Sequence, residues 1–101
     1  MSPSSKGIRR VTALIMTYNR KELLRRCLDS LEKQDFPSLQ VVLVDNNSTD
    51  GTATMIREEY GWIDYVGLDE NLGIAARNRG AEQAEGDLIV SLDDDSELPS
   101  T

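Results

Sequence analysis

The chain has 101 residues, of which 39% are hydrophobic and 29% charged, as is typical of one small globular domain. Its net charge of −7 argues against a nucleic-acid-binding surface, because such surfaces are normally basic. It contains no histidine and one cysteine, Cys27, which excludes histidine-based catalysis, histidine-containing zinc sites and an intrachain disulfide.

The sequence carries no recognisable membrane or export signal. No apolar run approaches the roughly 18 residues of a membrane-spanning helix. Residues 1–10 are rich in serine and basic side chains and lack the apolar segment of a signal peptide, so we expect a flexible lead-in before a domain at 11–101. These features favour a cytoplasmic location, and membrane attachment of a longer, full-length protein would reside in sequence beyond this chain.

The first half of the chain alternates apolar strands with amphipathic helices. Val11–Met16 predicts a strand buried on both faces, and Lys21–Gln34 predicts a helix for which Asn19 is the expected N-cap. Leu39–Val44 and Thr52–Tyr60 repeat the pattern as a strand and a helix. The helical side chains expected to face the core are Leu23, Leu24, Cys27, Leu28, Leu31, Ala53, Ile56 and Tyr60.

The second half continues the same alternation. Ile63–Leu68 predicts a short strand, Ile74–Ala84 a third helix, and Asp87–Leu92 a fourth strand, whose apolar run indicates that it is buried. Strands alternating with helices indicate parallel pairing and right-handed crossovers. We therefore expect an α/β fold, a three-layer sandwich whose sheet is mainly parallel.

A polar cluster follows three of the predicted strands. These clusters are Thr17-Tyr18-Asn19, Asp45-Asn46-Asn47 and Asp93-Asp94-Asp95. In an open parallel sheet, ligands bind outside the carboxyl ends of the strands, so the three clusters are expected to share one edge and one site.

The acidic triplet is the most informative of the three clusters. Three carboxylates at the end of a strand repel one another unless a cation lies among them, and oxygen ligands suit Mg²⁺ or Mn²⁺. Because side chains alternate along an extended segment, we expect Asp95, with Asp93, on the ion and Asp94 on a sugar hydroxyl. A solvated acidic turn is the alternative.

The other candidates suit a nucleotide. Asp45 and Asn46 can accept hydrogen bonds from a base or a ribose, with an Asx-turn as the alternative. Tyr18 offers a flat ring for stacking on a base, or packs under the neighbouring loop. Arg77 is the arginine of the third helix expected to reach a diphosphate, although surface solvation is the default for such a residue. No GxGxxG or Walker sequence is present.

Four segments in order resemble the N-terminal half of the family-two inverting glycosyltransferases, which have the GT-A fold. They are Val11–Arg20, Val41–Thr52, Asn71–Gly80 and Ala84–Asp95, the last of which ends in a DxD motif. The resemblance implies a Rossmann-like half-domain that transfers a sugar, with inversion, from a nucleotide-diphosphate sugar to a hydroxyl of an acceptor glycan or lipid-linked glycan. It also implies Mg²⁺ or Mn²⁺.

The resemblance and the residue chemistry together give one set of site residues. The expected nucleotide-sugar contacts are Thr17, Tyr18, Asn19, Asp45, Asn46, Arg77 and Asp94, and the expected metal ligands are Asp93 and Asp95. Many family members carry aspartate where Asn46 stands. An amide oxygen there still accepts a hydrogen bond from a base N–H, although it brings no charge.

The chain departs from the family in length, because it stops just after the DxD motif. An inverting transferase needs a general base, which the family carries in the half that is missing here. We expect a donor-binding half that is inactive alone, with self-association through the uncovered edge beside the fourth strand. The alternatives are a non-catalytic nucleotide-binding remnant and another phosphate-handling α/β domain, such as a nucleotidyltransferase or a receiver-like domain.

Overall fold

The fold is described from a computed structural model, for residues 10–33 and 39–94. In chain order the elements are β1 (Val11–Thr17), α1 (Lys21–Glu32), β2 (Leu39–Asp45), α2 (Thr52–Glu59), β3 (Asp64–Gly67), a 3₁₀ turn (Gly73–Ala75), α3 (Ala76–Ala81) and β4 (Leu88–Asp93). No helix in these two ranges is long and apolar enough to span a bilayer.

The four strands form one parallel sheet in the order β3-β2-β1-β4. In register, Thr17 at the end of β1 pairs with Asp45 at the end of β2, and Met16 pairs with Asp93 at the end of β4. The strands therefore end together at one edge of the sheet. The chain order reverses between β1 and β4, which is where ligands bind in open sheets of this kind.

Helices cover both faces of the sheet, so the predicted α/β three-layer sandwich is confirmed. On one face, α1 and α2 pack on alternate residues of β1 and β2, including Ala13, Ile15, Val41 and Leu43. On the other face, α3 packs through Ala76 on Leu14, Val42 and Val44. β1 and β2 are buried on both faces, as their uninterrupted apolar sequences predict.

The third helix is shorter than predicted, and the reason lies in the sheet. The helix ends at Ala81, three residues before the expected end. Beyond it, the backbone of Gln83 and Glu85 bonds to the buried Gln40 side chain: Nε2 donates to the Gln83 carbonyl at 3.0 Å, and Oε1 accepts from the Glu85 amide at 2.8 Å. The Gly86 amide donates to Oγ1 of Thr12 at 2.9 Å. These hydrogen bonds keep residues 83–86 in a non-helical conformation.

The N-cap prediction for α1 is wrong. Arg20 is the N-cap residue and has no capping side-chain bond, while Asn19 adopts a left-handed backbone conformation with φ of 51°. The Lys21 amide instead donates to Oδ2 of Asp50, at 2.9 Å, from the loop after β2. A long-range carboxylate thus replaces the local cap that the sequence suggested.

Three further expectations about burial are corrected. Leu23 is exposed because it lies beside the buried stripe of α1 rather than on it, and Ala53 is exposed because α2 turns Met55 inward instead. β4 is not a buried strand: Leu88 and Val90 on one face and Ile89 on the other are exposed. β4 lies at the edge of the described sheet, and no described element covers it.

Candidate functional site

Thr17 joins the carboxyl ends of β1, β2 and β4. Its carbonyl accepts a hydrogen bond from the Asn46 amide at 2.9 Å, and its hydroxyl donates to Oδ2 of Asp94 at 2.9 Å. The other carboxylate oxygen of Asp94 accepts from Nη1 of Arg20 at 3.3 Å. Thr17 and Asp94 are buried, whereas the Arg20 side chain is half-exposed. The three polar clusters therefore meet through one residue.

A cavity of about 90 Å³ lies between β1, β4 and α3, and it is called the β1–β4 cavity below. Its walls are Leu14, Met16, Arg77, Ser91, Leu92, Asp93 and Asp94. It occupies the place where the strand order reverses, and its volume is below the roughly 300 Å³ of a small-molecule pocket. The cavity therefore accommodates part of a ligand, such as a phosphate group, rather than a whole nucleotide sugar.

The charges around the β1–β4 cavity are of both signs. The guanidinium-bearing Arg77 contributes to the wall together with the carboxylates of Asp93 and Asp94. Within residues 10–33 and 39–94, Asp93 forms no ion pair, whereas Asp94 is bonded through both oxygens. Asp93 is therefore the better placed of the two to bind a cation. A phosphate next to Arg77 would complete the charge balance.

The metal-site prediction is only partly covered by the structure. Asp95 lies outside the described residues, so nothing is said of its position. Among the described residues, no group of three or more acidic or cysteine side chains gathers around a common point. The donor chemistry fits a hard divalent ion, because Asp93 would supply a carboxylate oxygen and a bound diphosphate would supply further oxygens.

The side chains that end β2 are hydrogen-bonded within the protein. Asp45 is buried; its Oδ1 accepts from the Ser48 amide at 2.9 Å and its Oδ2 from the Tyr65 hydroxyl at 2.7 Å. Asn46 accepts from the Leu72 amide at 3.0 Å. Asn46 is buried as well, and its Nδ2 donates to the Gly73 carbonyl at 3.4 Å. A side-chain amide carries two donors and two acceptor lone pairs, so Asn46 keeps capacity for a ligand, whereas both oxygens of Asp45 are already bonded.

The loop after β1 divides its residues between structure and surface. Asn19 binds the neighbouring loop: its amide donates to Oγ of Ser48 at 2.8 Å, and its Oδ1 accepts from the Thr49 amide at 2.7 Å. Tyr18 is 47% exposed, so its ring is available for stacking on a flat ligand. Asn19 thus fixes the two loops together, and the adjacent Tyr18 offers an exposed aromatic ring.

Comparison with known proteins decides the family. A model of Glycosyl transferase family 2 matches residues 12–101. The chain belongs to glycosyltransferase family 2. The predicted resemblance and the predicted GT-A type of fold are therefore confirmed.

Two curated relatives of this family-2 chain illustrate the match. GalNAc(5)-diNAcBac-PP-undecaprenol beta-1,3-glucosyltransferase of Campylobacter jejuni is 32% identical over 97 residues, which cover 90% of this chain and 31% of the relative. Putative glycosyltransferase EpsH of Bacillus subtilis is 36% identical over 89 residues, covering 84% of this chain and 26% of the relative. The chain spans less than a third of the length of these relatives.

Solved structures agree with the sequence relatives. TarS 1-349 of S. aureus, in complex with UDP-GlcNAc, superposes with a TM-score of 0.80 at 30% identity, covering 91% of this chain and 28% of that one. The mannosyltransferase PcManGT of Pyrobaculum calidifontis, in complex with GDP-Man and Mn²⁺, superposes with a TM-score of 0.78 at 35% identity, covering 89% and 28%. Nucleotide-sugar glycosyltransferases thus share this arrangement of strands and helices.

Sequence reasoning missed two residues that bond to predicted site residues: Arg20, which bonds to Asp94, and Tyr65, which bonds to Asp45. Arg20 directly follows the first polar cluster, so a search for cations beside that cluster would have found it. Tyr65 lies in the middle of a short strand and looks like an ordinary β-sheet aromatic. Only the pairing of β2 with β3 brings its hydroxyl to Asp45.

Proposed function

We propose that this chain is the donor-binding part of a metal-dependent, inverting glycosyltransferase that uses a nucleotide-diphosphate sugar. The observation that carries the proposal is the Thr17–Asp94 hydrogen bond, which joins the first polar cluster to the acidic cluster at the edge of the β1–β4 cavity. Family membership and the nucleotide-sugar complexes of similar structures support the same conclusion.

The proposed donor lies across the carboxyl ends of the strands. Tyr18 stacks on the base, and the remaining hydrogen-bonding capacity of Asn46 recognises its edge. Thr17 holds Asp94 in place for a hydroxyl of the donor sugar. Arg77, in the wall of the β1–β4 cavity, neutralises the diphosphate.

A divalent ion, Mg²⁺ or Mn²⁺, completes the proposed donor site. Asp93 and Asp95 are its proposed ligands, together with oxygens of the diphosphate. When bound, the ion stabilises the negative charge of the nucleotide as it leaves. The positive charge of the Arg77 guanidinium stabilises the same negative charge.

The acceptor and the general base belong to the part of the relatives that this chain does not span. We propose a glycan or lipid-linked glycan as acceptor, since one relative is named for an undecaprenol-linked substrate. An inverting reaction requires a base beside the acceptor hydroxyl, and both oxygens of Asp94 are already hydrogen-bonded. The 101-residue chain is therefore expected to bind donor without turnover.

Calorimetry of the chain with UDP, TDP and GDP, each with and without Mn²⁺, tests the proposal. We expect binding that requires Mn²⁺ and that falls at least tenfold in Asp93→Asn, because a metal ligand loses its charge. Glu58→Gln removes an exposed charge on α2 and serves as the matched control. Absence of nucleotide binding, or binding indifferent to Mn²⁺ and to Asp93→Asn, would contradict the proposal.

A further inference from the structure

Tyr65 reaches from β3 to the end of the neighbouring strand β2. It stands in the middle of β3, in register with Leu43, while Gly67 is in register with Asp45. Its hydroxyl nevertheless donates to Oδ2 of Asp45 at 2.7 Å, so the ring lies along β3 toward the carboxyl end of the sheet. The hydrogen bond therefore links the outer strand to the end of its neighbour.

Gly67 makes this reach possible. A Cβ atom at Gly67 would lie 2.9 Å from Cε2 of Tyr65 and 3.2 Å from its hydroxyl oxygen. Residues two apart on a strand share a face, so any side chain at Gly67 would compete with the ring for the same space. Tyr65 and Gly67 thus act as a pair: one supplies the hydroxyl, and the other leaves the path open.

Asp45 links Tyr65 to the loop that follows β2. With Oδ2 held by Tyr65, its Oδ1 accepts from the Ser48 amide at 2.9 Å and closes the turn 45–48. Asn46 lies inside that turn, with its amide on Thr17. Removing the Tyr65 hydroxyl would leave Oδ2 of the buried Asp45 without its partner. The Asp45 carboxylate would then be held only through its bond to the Ser48 amide, so the turn would be less firmly fixed.

We propose that Tyr65 is a positioning residue for the nucleoside end of the donor site, acting through Asp45 on the turn that presents Asn46. The inference rests on the proposed function. It also separates the two ends of the site, because Tyr65 contributes nothing to the wall of the β1–β4 cavity, where the diphosphate is proposed to bind.

Tyr60 supplies a matched control. Its hydroxyl donates to Oδ1 of Asp29, also at 2.7 Å, and burial raises the pKa of both phenols, with a further rise from the bonded aspartate. Tyr60 follows α2 and Asp29 lies in the second half of α1, away from the loops that end the strands. Tyr60→Phe and Tyr65→Phe therefore remove the same kind of bond at different places.

The first measurement compares two ligands by calorimetry, UDP with Mn²⁺ and pyrophosphate with Mn²⁺. Tyr65→Phe is expected to weaken UDP binding by about tenfold, the effect of one hydrogen bond to a charged group, and to leave pyrophosphate affinity unchanged. Tyr60→Phe is expected to change neither. Equal losses for both ligands in Tyr65→Phe, or no loss of UDP affinity, would overturn the inference.

The second measurement needs no ligand: hydrogen exchange of the Ser48 amide, followed by NMR. Exchange is expected to accelerate in Tyr65→Phe and in Gly67→Ala, which displaces the ring, and to stay unchanged in Tyr60→Phe. Unchanged exchange in Tyr65→Phe overturns the inference whatever the binding results. A parent chain that binds no nucleotide would contradict the proposed function. If exchange of the Ser48 amide still accelerates in Tyr65→Phe, the Tyr65–Asp45 hydrogen bond fixes the turn, but its role in donor binding is overturned.

Discussion

Thr17 is the residue on which the geometry of the site depends most. Its hydroxyl pairs with Asp94 in a buried setting, and its carbonyl binds the Asn46 amide. Replacing the hydroxyl by a methyl group keeps the branched shape but leaves a carboxylate oxygen unpaired. Valine at position 17 is therefore expected both to destabilise the fold and to release Asp94 from its place in the site.

Thr17→Val is expected to lower the free energy of unfolding by about 1–3 kcal/mol and to weaken nucleotide binding as well. Thr12→Val is the control, because Thr12 is equally buried and bonded but lies at the opposite end of β1, where it contacts Gln40. Chemical denaturation and calorimetry of both variants check the prediction. Similar losses of affinity in the two variants would show that stability alone explains the effect.

Residue chemistry could be predicted from the sequence more completely than residue contacts. The polar clusters after β1, β2 and β4 were identified because each interrupts an apolar run. The engagement of Asp45 by Tyr65 and of Asp94 by Arg20 was not foreseen. Both contacts join residues far apart in the chain, and their pairing depends on strand register, which a single sequence does not specify.

At the scale of elements, α3 packs closely on the sheet. Gly80 faces the sheet, and a Cβ atom there would lie 2.3 Å from Cδ1 of Leu14 and 2.6 Å from Cγ2 of Val44. Those distances are far shorter than any real carbon contact, so Leu14, Val44 or the helix itself would have to move. Because α3 also carries Arg77, a shift of the helix would alter the β1–β4 cavity.

Gly80→Ala is expected to destabilise the fold by about 1–3 kcal/mol through overpacking, despite the better helix propensity of alanine. Gly61→Ala is the control, since a Cβ atom at Gly61 meets nothing within 4 Å. Thermal unfolding of the two variants provides the measurement. Equal midpoints for Gly80→Ala and Gly61→Ala would mean that α3 does not pack on the sheet as described.

Asp50 connects two helices, because it accepts hydrogen bonds at the start of each. Its carboxylate bonds to the Lys21 amide of α1 and to the amide and hydroxyl of Thr52 in α2. Partial burial acts to raise the pKa of Asp50, but these hydrogen bonds outweigh burial, and the pKa is lowered. A lowered pKa in the folded state stabilises the fold above the unfolded value, about 3.9, and that stability is lost as the pH falls further.

Asp50→Ala is therefore expected to cost about 1 kcal/mol at neutral pH, where the carboxylate is charged in the parent chain. The difference between parent and variant should narrow as the pH falls below about 4, because the parent then loses the contribution of the charged cap. Urea unfolding at several pH values checks this, with Asp69→Ala, an exposed loop acid, as control. A difference that stays constant with pH would contradict the assignment of Asp50 as a charged cap.

The strands and helices also show which elements a sequence specifies by itself. β1 and β2 were predicted to within one residue because a strand buried on both faces has an uninterrupted apolar sequence. The end of α3 was not predicted correctly, because the segment after it is held by the side chains of Thr12 in β1 and Gln40 in β2, which are distant in the sequence. The apolar sequence of β4 indicated a strand correctly but overstated its burial.

At the scale of the whole molecule, the feature that bears on assembly is the β4 edge of the sheet, which no other element of the described ranges covers. Among the described residues, β4 pairs with β1 alone, and its apolar side chains Leu88, Ile89 and Val90 are exposed on both faces. Strand edges of this kind pair readily with other strands. Since every copy of the chain presents the same edge, a second copy is the partner that we propose for the isolated protein.

If the chain self-associates through β4 as proposed, its sedimentation coefficient is expected to rise with protein concentration. Ile89→Lys is expected to shift the equilibrium toward monomer by at least tenfold, because a buried lysine charge opposes pairing on that face. Ile74→Lys, at an apolar residue that is 81% exposed on the turn before α3, is the matched control and should leave the association unchanged. A single monomeric species over a wide concentration range would contradict the proposal, as would equal effects of the two lysine variants.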